Sequence, residues 1–150
     1  MSRPSRRGGF VFAAAIAVPL VIAARRPIAR IPAPATVWDS VYSPAQAARG
    51  ESSYVKGCAR CHQAALTGAD QSPPLTGSGF LGNWNGLPLS DLQDRIRTTM
   101  PPDSIGLYDR QFVTDVIAYM LKMNGFPAGA GDLSPETDRL KAILVQTARP

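Results

Sequence analysis

Apolar positions recur at helical spacing along this chain and alternate nowhere. The clearest run is Asp109–Asn124, where Phe112, Val116 and Met120 form one i, i+4 row. Val113, Ile117 and Leu121 form the next row, with Tyr119 and Met123 alongside. Asn124-Gly125 supplies a stop and Pro127 prevents resumption. An earlier helix begins at Ser43-Pro44, with Ser as N-cap and Pro at the first helical position, and runs through Ala45–Tyr54. Gly50 and Tyr54 lie four apart on one face, where the glycine lets another helix come close. Ser90 offers a third N-cap with Gln93 as capping-box partner, and Leu92 and Ile96 stripe a short helix ending near Thr98. A last short helix follows Ser134-Pro135, through Leu140 and Ile143 to Val145. Leu66–Leu89, rich in Gly, Pro, Ser and Asn, predicts a long loop, a feature that compact domains keep mainly for function. The pattern predicts an all-α fold of about four short helices and long loops.

The first 35 residues differ. Arg3, Arg6 and Arg7 precede an apolar run from Phe10 to Ala24, then a Pro/Arg/Ala stretch follows. This is the layout of a secretory signal. The run is shorter than the roughly 20 residues of a spanning helix, and Pro19 interrupts it. Ala33-Pro34-Ala35 is the cleanest cut site and Val21-Ile22-Ala23 a second candidate. Arg25, Arg26 and Arg30 keep an uncleaved anchor as the alternative, the one case in which a membrane is a partner. The chain thus divides into a signal (1–35), a domain (36–131) and a C-terminal extension with a short helix (132–150), long enough to clasp a partner. Export changes the charge. The formal +5 includes six arginines and no acid in residues 1–35; beyond them ten basic groups face eleven acidic ones. No clustered basic face is left for nucleic acid. The expected location is periplasmic.

Chemistry concentrates at Cys58-Ala59-Arg60-Cys61-His62. Cys-x-x-Cys-His is the attachment signature of a c-type haem: two thiols form thioether bonds and the histidine binds the iron. The motif uses both cysteines and the only histidine of the chain. A thioredoxin-like dithiol would need a preceding strand, and Ala45–Lys56 reads as helix. Structural zinc would need four ligands, and no second pair exists. A disulfide between Cys58 and Cys61 would close a tiny loop for little stabilisation. Export fits haem attachment, because c-type haems are generally attached across the membrane from synthesis.

With His62 as one axial ligand, no second histidine is available for the other. Of four methionines, Met1 leaves with the signal, and Met120 and Met123 sit in the helical stripe, where methionine is mostly core filler. Met100 is different. It lies just past a helix in Thr98-Thr99-Met100-Pro101-Pro102, 38 residues beyond His62, enough chain to round a haem edge. A thioether favours ferrous iron and raises the reduction potential; with both positions filled, electron transfer is favoured over catalysis.

These residues resemble the single-haem class I cytochromes c, closest to small exported cytochromes associated with quinoprotein dehydrogenases. The matching pieces are Gly50-x-x-x-Tyr54, Cys58–His62, Pro73-Pro74-Leu75-x-Gly77, Thr99-Met100-Pro101 and Asp115-Val116-Ile117-Ala118-Tyr119, in family order across about residues 42–128. Asn124–Gly129 resembles that subgroup's ending. The resemblance implies a class I cytochrome c fold wrapped around one covalently attached haem c. It implies that the first and last long helices cross near Gly50, Tyr54 and Tyr119. It also implies that a loop carbonyl, Pro73 or its neighbour Pro74, accepts from His62 Nδ1–H, and that Leu75 packs on the haem. Trp84, Arg95 and Arg97 are candidates for the haem propionates, since a buried carboxylate needs a donor or counter-charge; for the arginines a solvated helix face is the equal alternative.

The leading expectation is a monomeric electron carrier, not an enzyme. It would take one electron from a dehydrogenase or membrane complex and pass it to a cytochrome or oxidase. The alternatives are a dedicated haem subunit of a quinoprotein-type dehydrogenase complex and a haem enzyme or gas sensor with an open iron position.

Overall fold

The computed structural model describes residues 35–149; the expected signal and its candidate cut sites lie outside them, Ala35 excepted. Helix α1 (Pro44–Gly57) begins as its sequence dictates: the Ser43 hydroxyl accepts from Gln46 N–H at 3.0 Å, with proline at the first position. It runs three residues past Tyr54, into the short helix α2 (Ala59–His62). Helix α3 (Gly77–Trp84) precedes α4 (Leu89–Thr99), and α5 (Arg110–Met123) starts where the Asp109 carboxylate accepts from Phe112 N–H at 2.8 Å. Helix α6 (Thr137–Lys141) is a single turn.

Helices α1 and α5 form the main packing pair. Gly50 sits at their contact: a Cβ there would run into the Asp115 carbonyl and lie 3.0 Å from Tyr119 Cβ. Tyr54 and Tyr119 meet beside it with ring centroids 5.4 Å apart. Both rings are buried, as are Val113, Val116, Ile117 and Met120 of the α5 stripe.

The structure departs from the pattern in three places. Leu66–Leu89 is not one loop: Gly77–Trp84 is helical, and Trp84 ends a helix instead of sitting in a polar loop. Glycine-rich composition lowers helix propensity, but Phe80 is buried and Phe80 and Trp84 face the same side. Ser90 does not cap α4, which starts one residue earlier; Gln93 is buried and bonds to the Thr114 hydroxyl at 2.8 Å and the Pro135 carbonyl at 3.1 Å. The last predicted helix stops at Lys141. Ile143–Leu144 (β2) then pairs in parallel with Ala35–Thr36 (β1).

The extension is occupied by its own domain. Leu133, Leu140 and Val145 are buried. Gln46 grips Leu133 at both main-chain atoms, donating to its carbonyl at 2.9 Å and accepting from its N–H at 2.6 Å. Val145 exchanges main-chain bonds with Gly86 (2.8 Å) and Leu87 (2.9 Å). The extension thus packs on its own domain through Leu133, Leu140 and Val145.

Candidate haem site

The cysteine–histidine motif sits where α1 hands over to α2. Cys58 donates its N–H to the Tyr54 carbonyl, closing α1, and its own carbonyl accepts from Cys61 N–H (3.1 Å) and His62 N–H (3.0 Å). The two cysteines are free of disulfide; Cys58 is half-buried and Cys61 exposed. Burial, helped by the neighbouring Cys61, pushes the Cys58 thiol up to about 11.

Beyond His62 the chain reverses through left-handed residues, Gln63 at φ 64° and Leu66 at φ 60°. Tyr54 holds the turn by donating its hydroxyl proton to the Gln63 carbonyl at 2.7 Å. Gly68, at φ +70°, lets the chain fold back: a Cβ there would lie 2.6 Å from both the Pro73 carbonyl carbon and Pro74 N. The returning strand puts the Pro73 carbonyl, not that of Pro74, 2.9 Å from His62 Nδ1. A carbonyl can only accept, so the proton is on Nδ1 and the lone pair on Nε2 is left for a metal. Asn124 anchors the same segment: its side chain donates to the Leu75 carbonyl at 3.0 Å and accepts from Gly77 N–H at 3.1 Å.

The motif opens on a cavity of about 460 Å³, within the roughly 300–1,000 Å³ of cofactor and small-molecule sites. Cys58, Cys61, His62, Pro73 and Leu75 line one part of it. Met100 lines it from the segment after α4, where its N–H caps the helix on the Ile96 carbonyl. Trp84 and Arg95 also reach it. Arg97 does not, because two residues along a helix turn a side chain by roughly 200°. Its Nε is buried with no acceptor among the described residues. Met120 lines the cavity and Met123 does not; Met120 is 2% exposed, Met123 41%.

Sequence reasoning passed over several walls. Gly57, Phe80, Tyr108, Phe112 and Val113 all border the cavity. The signal was available in part: Leu92 and Ile96 are one i, i+4 pair, and Phe112, Val116 and Met120 are another row, and both rows face the cavity. Gly57 carried no such signal. A Cβ on it would lie 2.5 Å from the Tyr108 hydroxyl, a contact made by chain far along the sequence.

The residues fit a covalently held haem. Leu75, Leu92, Ile96, Val113 and Val116 give apolar walls to a flat apolar ring. Two unpaired thiols, a correctly tautomeric imidazole and a thioether converge on the space they enclose. Among the described residues no helix is long and apolar enough to cross a membrane.

Residues 45–120 match the family model described as cytochrome c oxidase, cbb3-type, subunit III. No curated protein and no solved structure matches the chain. The matched span takes in the haem-attachment motif, the Met100 segment and most of both packed helices, and a cytochrome c domain implies haem c bound through Cys58 and Cys61. By that match, over half its length, the chain belongs to the family of cytochrome c oxidase, cbb3-type, subunit III, and is a haem electron-transfer protein.

Proposed function

We propose that this protein is a periplasmic class I cytochrome c that carries single electrons between a dehydrogenase or membrane complex and a downstream cytochrome or oxidase. One observation carries the reading: a single apolar cavity receives Cys58, Cys61 and His62 from one arm of the chain and Met100 from another. Haem c supplies a one-electron iron centre there. Cys58 and Cys61 attach it. With haem c bound, His62 Nε2 and Met100 Sδ would hold its iron. Pro73 fixes the imidazole ring through Nδ1 and makes it a stronger donor. Leu75 would pack against the macrocycle, and Trp84 and Arg95, which line the same cavity, would serve its carboxylates. Each cycle takes in one electron and gives out one, with no bond made or broken, so the protein's task is to exclude water and keep its ligands still.

The periplasmic location rests on the signal-like residues 1–35. A visible spectrum and redox titration of the exported protein test the reading together. A low-spin ferrous c-type spectrum with a positive potential is expected. Rapid carbon monoxide binding by the ferrous protein at neutral pH would overturn it in favour of an open iron position.

A second reading, a haem subunit fixed to one complex, is favoured by the family's description as an oxidase subunit. Co-purification separates the two: a carrier elutes as a monomer, a subunit brings its complex.

A further inference from the structure

The segment that follows Met100 is held to the haem-attachment motif by one side-chain bridge. Arg60, inside Cys58–His62, donates from Nη2 to Asp103 Oδ2 at 2.5 Å, across 43 residues of sequence. Asp103 lies three residues beyond Met100 in the connection Pro101–Tyr108 between α4 and α5. Arg60, Pro101, Pro102 and Tyr108 all border the cavity, so the bridge joins two of its walls at the rim. The far end of the connection is seated too. The Tyr108 ring stacks on Phe112 at 3.9 Å and 5°, and its hydroxyl lies against Gly57. Among the described residues the connection has only two main-chain bonds, Ser104 N–H to Pro101 at 3.0 Å and Leu107 N–H to Ser104 at 3.1 Å. Ile105 and Leu107 are more than 60% exposed, so no apolar burial at those two residues holds it in place.

The geometry points to Arg60 and Asp103 as positioning residues that strap the Met100 segment to the haem-attachment motif and so slow the departure of the distal ligand. This rests on the reading of Met100 as that ligand. The carboxyl of Asp103 is held below its ordinary range chiefly by the Arg60 hydrogen bond, which outweighs the opposing effect of burial, with lesser help from the Arg60 charge, its own backbone N–H and the Ser104 hydroxyl. The pair is therefore ionised at neutral pH. Both side chains are more than half exposed, which keeps the effect small and makes it sensitive to salt. It acts on the opening of the segment and not on the global fold.

The test uses the ferric holoprotein and imidazole as the competing ligand. Asp103→Asn should speed imidazole binding about two- to fivefold with the methionine–iron charge-transfer band still present at rest, a factor in keeping with one exposed pair. Added salt should speed the native protein toward the variant's rate and leave the variant almost unchanged. The exchanged pair, Arg60→Asp with Asp103→Arg, should bring the rate back. Hydrogen exchange at Ser104 and Leu107 gives a reading independent of the haem, and both amides should lose protection in Asp103→Asn. If the Arg60 variants fail to mature, Asp103→Asn alone decides. Unchanged imidazole rate and unchanged exchange would overturn the strap. If Met100→Ala keeps the charge-transfer band, the ligand assignment fails instead, a separate result.

Discussion

The two arms that reach the cavity are built differently. The His62 arm is tied at several points: Cys58 and His62 carbonyls are bonded, Tyr54 holds Gln63, and Leu66 and Leu75 are joined at 2.8 Å. Gly68 then allows main chain to pack on main chain, so the imidazole is placed by backbone. The Met100 arm has one helix cap behind it and, ahead, a connection with exposed apolar residues fastened by an ion pair and an aromatic stack. Main chain cross-linked to main chain opens only when several bonds break together, whereas a connection with few bonds opens locally at lower cost. The lesson is an asymmetric site: of the two proposed ligands, His62 is placed by cross-linked backbone and Met100 by a segment that can yield.

The largest break in that comparison comes from the fixed arm. Cys58→Ser with Cys61→Ser should abolish covalent haem, seen as loss of haem-stained protein after denaturing electrophoresis. Met100→Ala strikes the other arm, and there the haem should stay attached. Its potential should fall on the order of 100 mV or more, within the roughly 0.8 V that axial ligands span, and the ferrous protein should bind carbon monoxide. A third prediction weighs the backbone of the fixed arm. Gly68→Ala imposes a left-handed alanine and a clash with the Pro73–Pro74 main chain, costing about 1–3 kcal/mol in a denaturant titration, with His62 ligation weakened alongside. Gly50→Ala should cost about as much by prising α1 from α5 at Asp115, but with little change in the haem spectrum.

The smallest effect concerns the tail, remote from both arms. The Asp132 carboxyl is held below its ordinary range by the Ser43 hydroxyl and then by Arg49, which it meets at 2.6 Å. A depressed carboxyl contributes stability that is complete above its ordinary pKa and is lost as pH falls through the lowered value. Acid should therefore loosen Asp132–Leu133 first, as rising hydrogen exchange there, while Asp132→Asn should show no such pH step.

Much of this was legible in sequence because it is local. Ser43-Pro44 and Asp109 cap their helices by side-chain contacts three residues away, and the α5 stripe buries as its period requires. Cys58–His62 names its cofactor through spacing alone. What escaped depends on chain brought from afar. Gly77–Trp84 is helical despite three glycines, Phe80 being buried and Trp84 against the cavity, a gain that no local propensity records. Gln93 has the look of a capping partner but is drawn inward to Thr114 and Pro135. The extension reads as free because its partners, Gln46 and Leu87, lie in distant sequence. Arg95 and Arg97 look equivalent on paper, and only the helix phase separates the one at the cavity from the one that is not.

Met100 and Met120 both reach the cavity, and Met100 is the proposed ligand of the iron. The most direct test is the methionine–iron charge-transfer band of the ferric holoprotein, measured in Met100→Ala and, in parallel, in Met120→Leu. The band should vanish in Met100→Ala and persist in Met120→Leu; persistence in the first with loss in the second would contradict the assignment and, with it, the yielding arm described above.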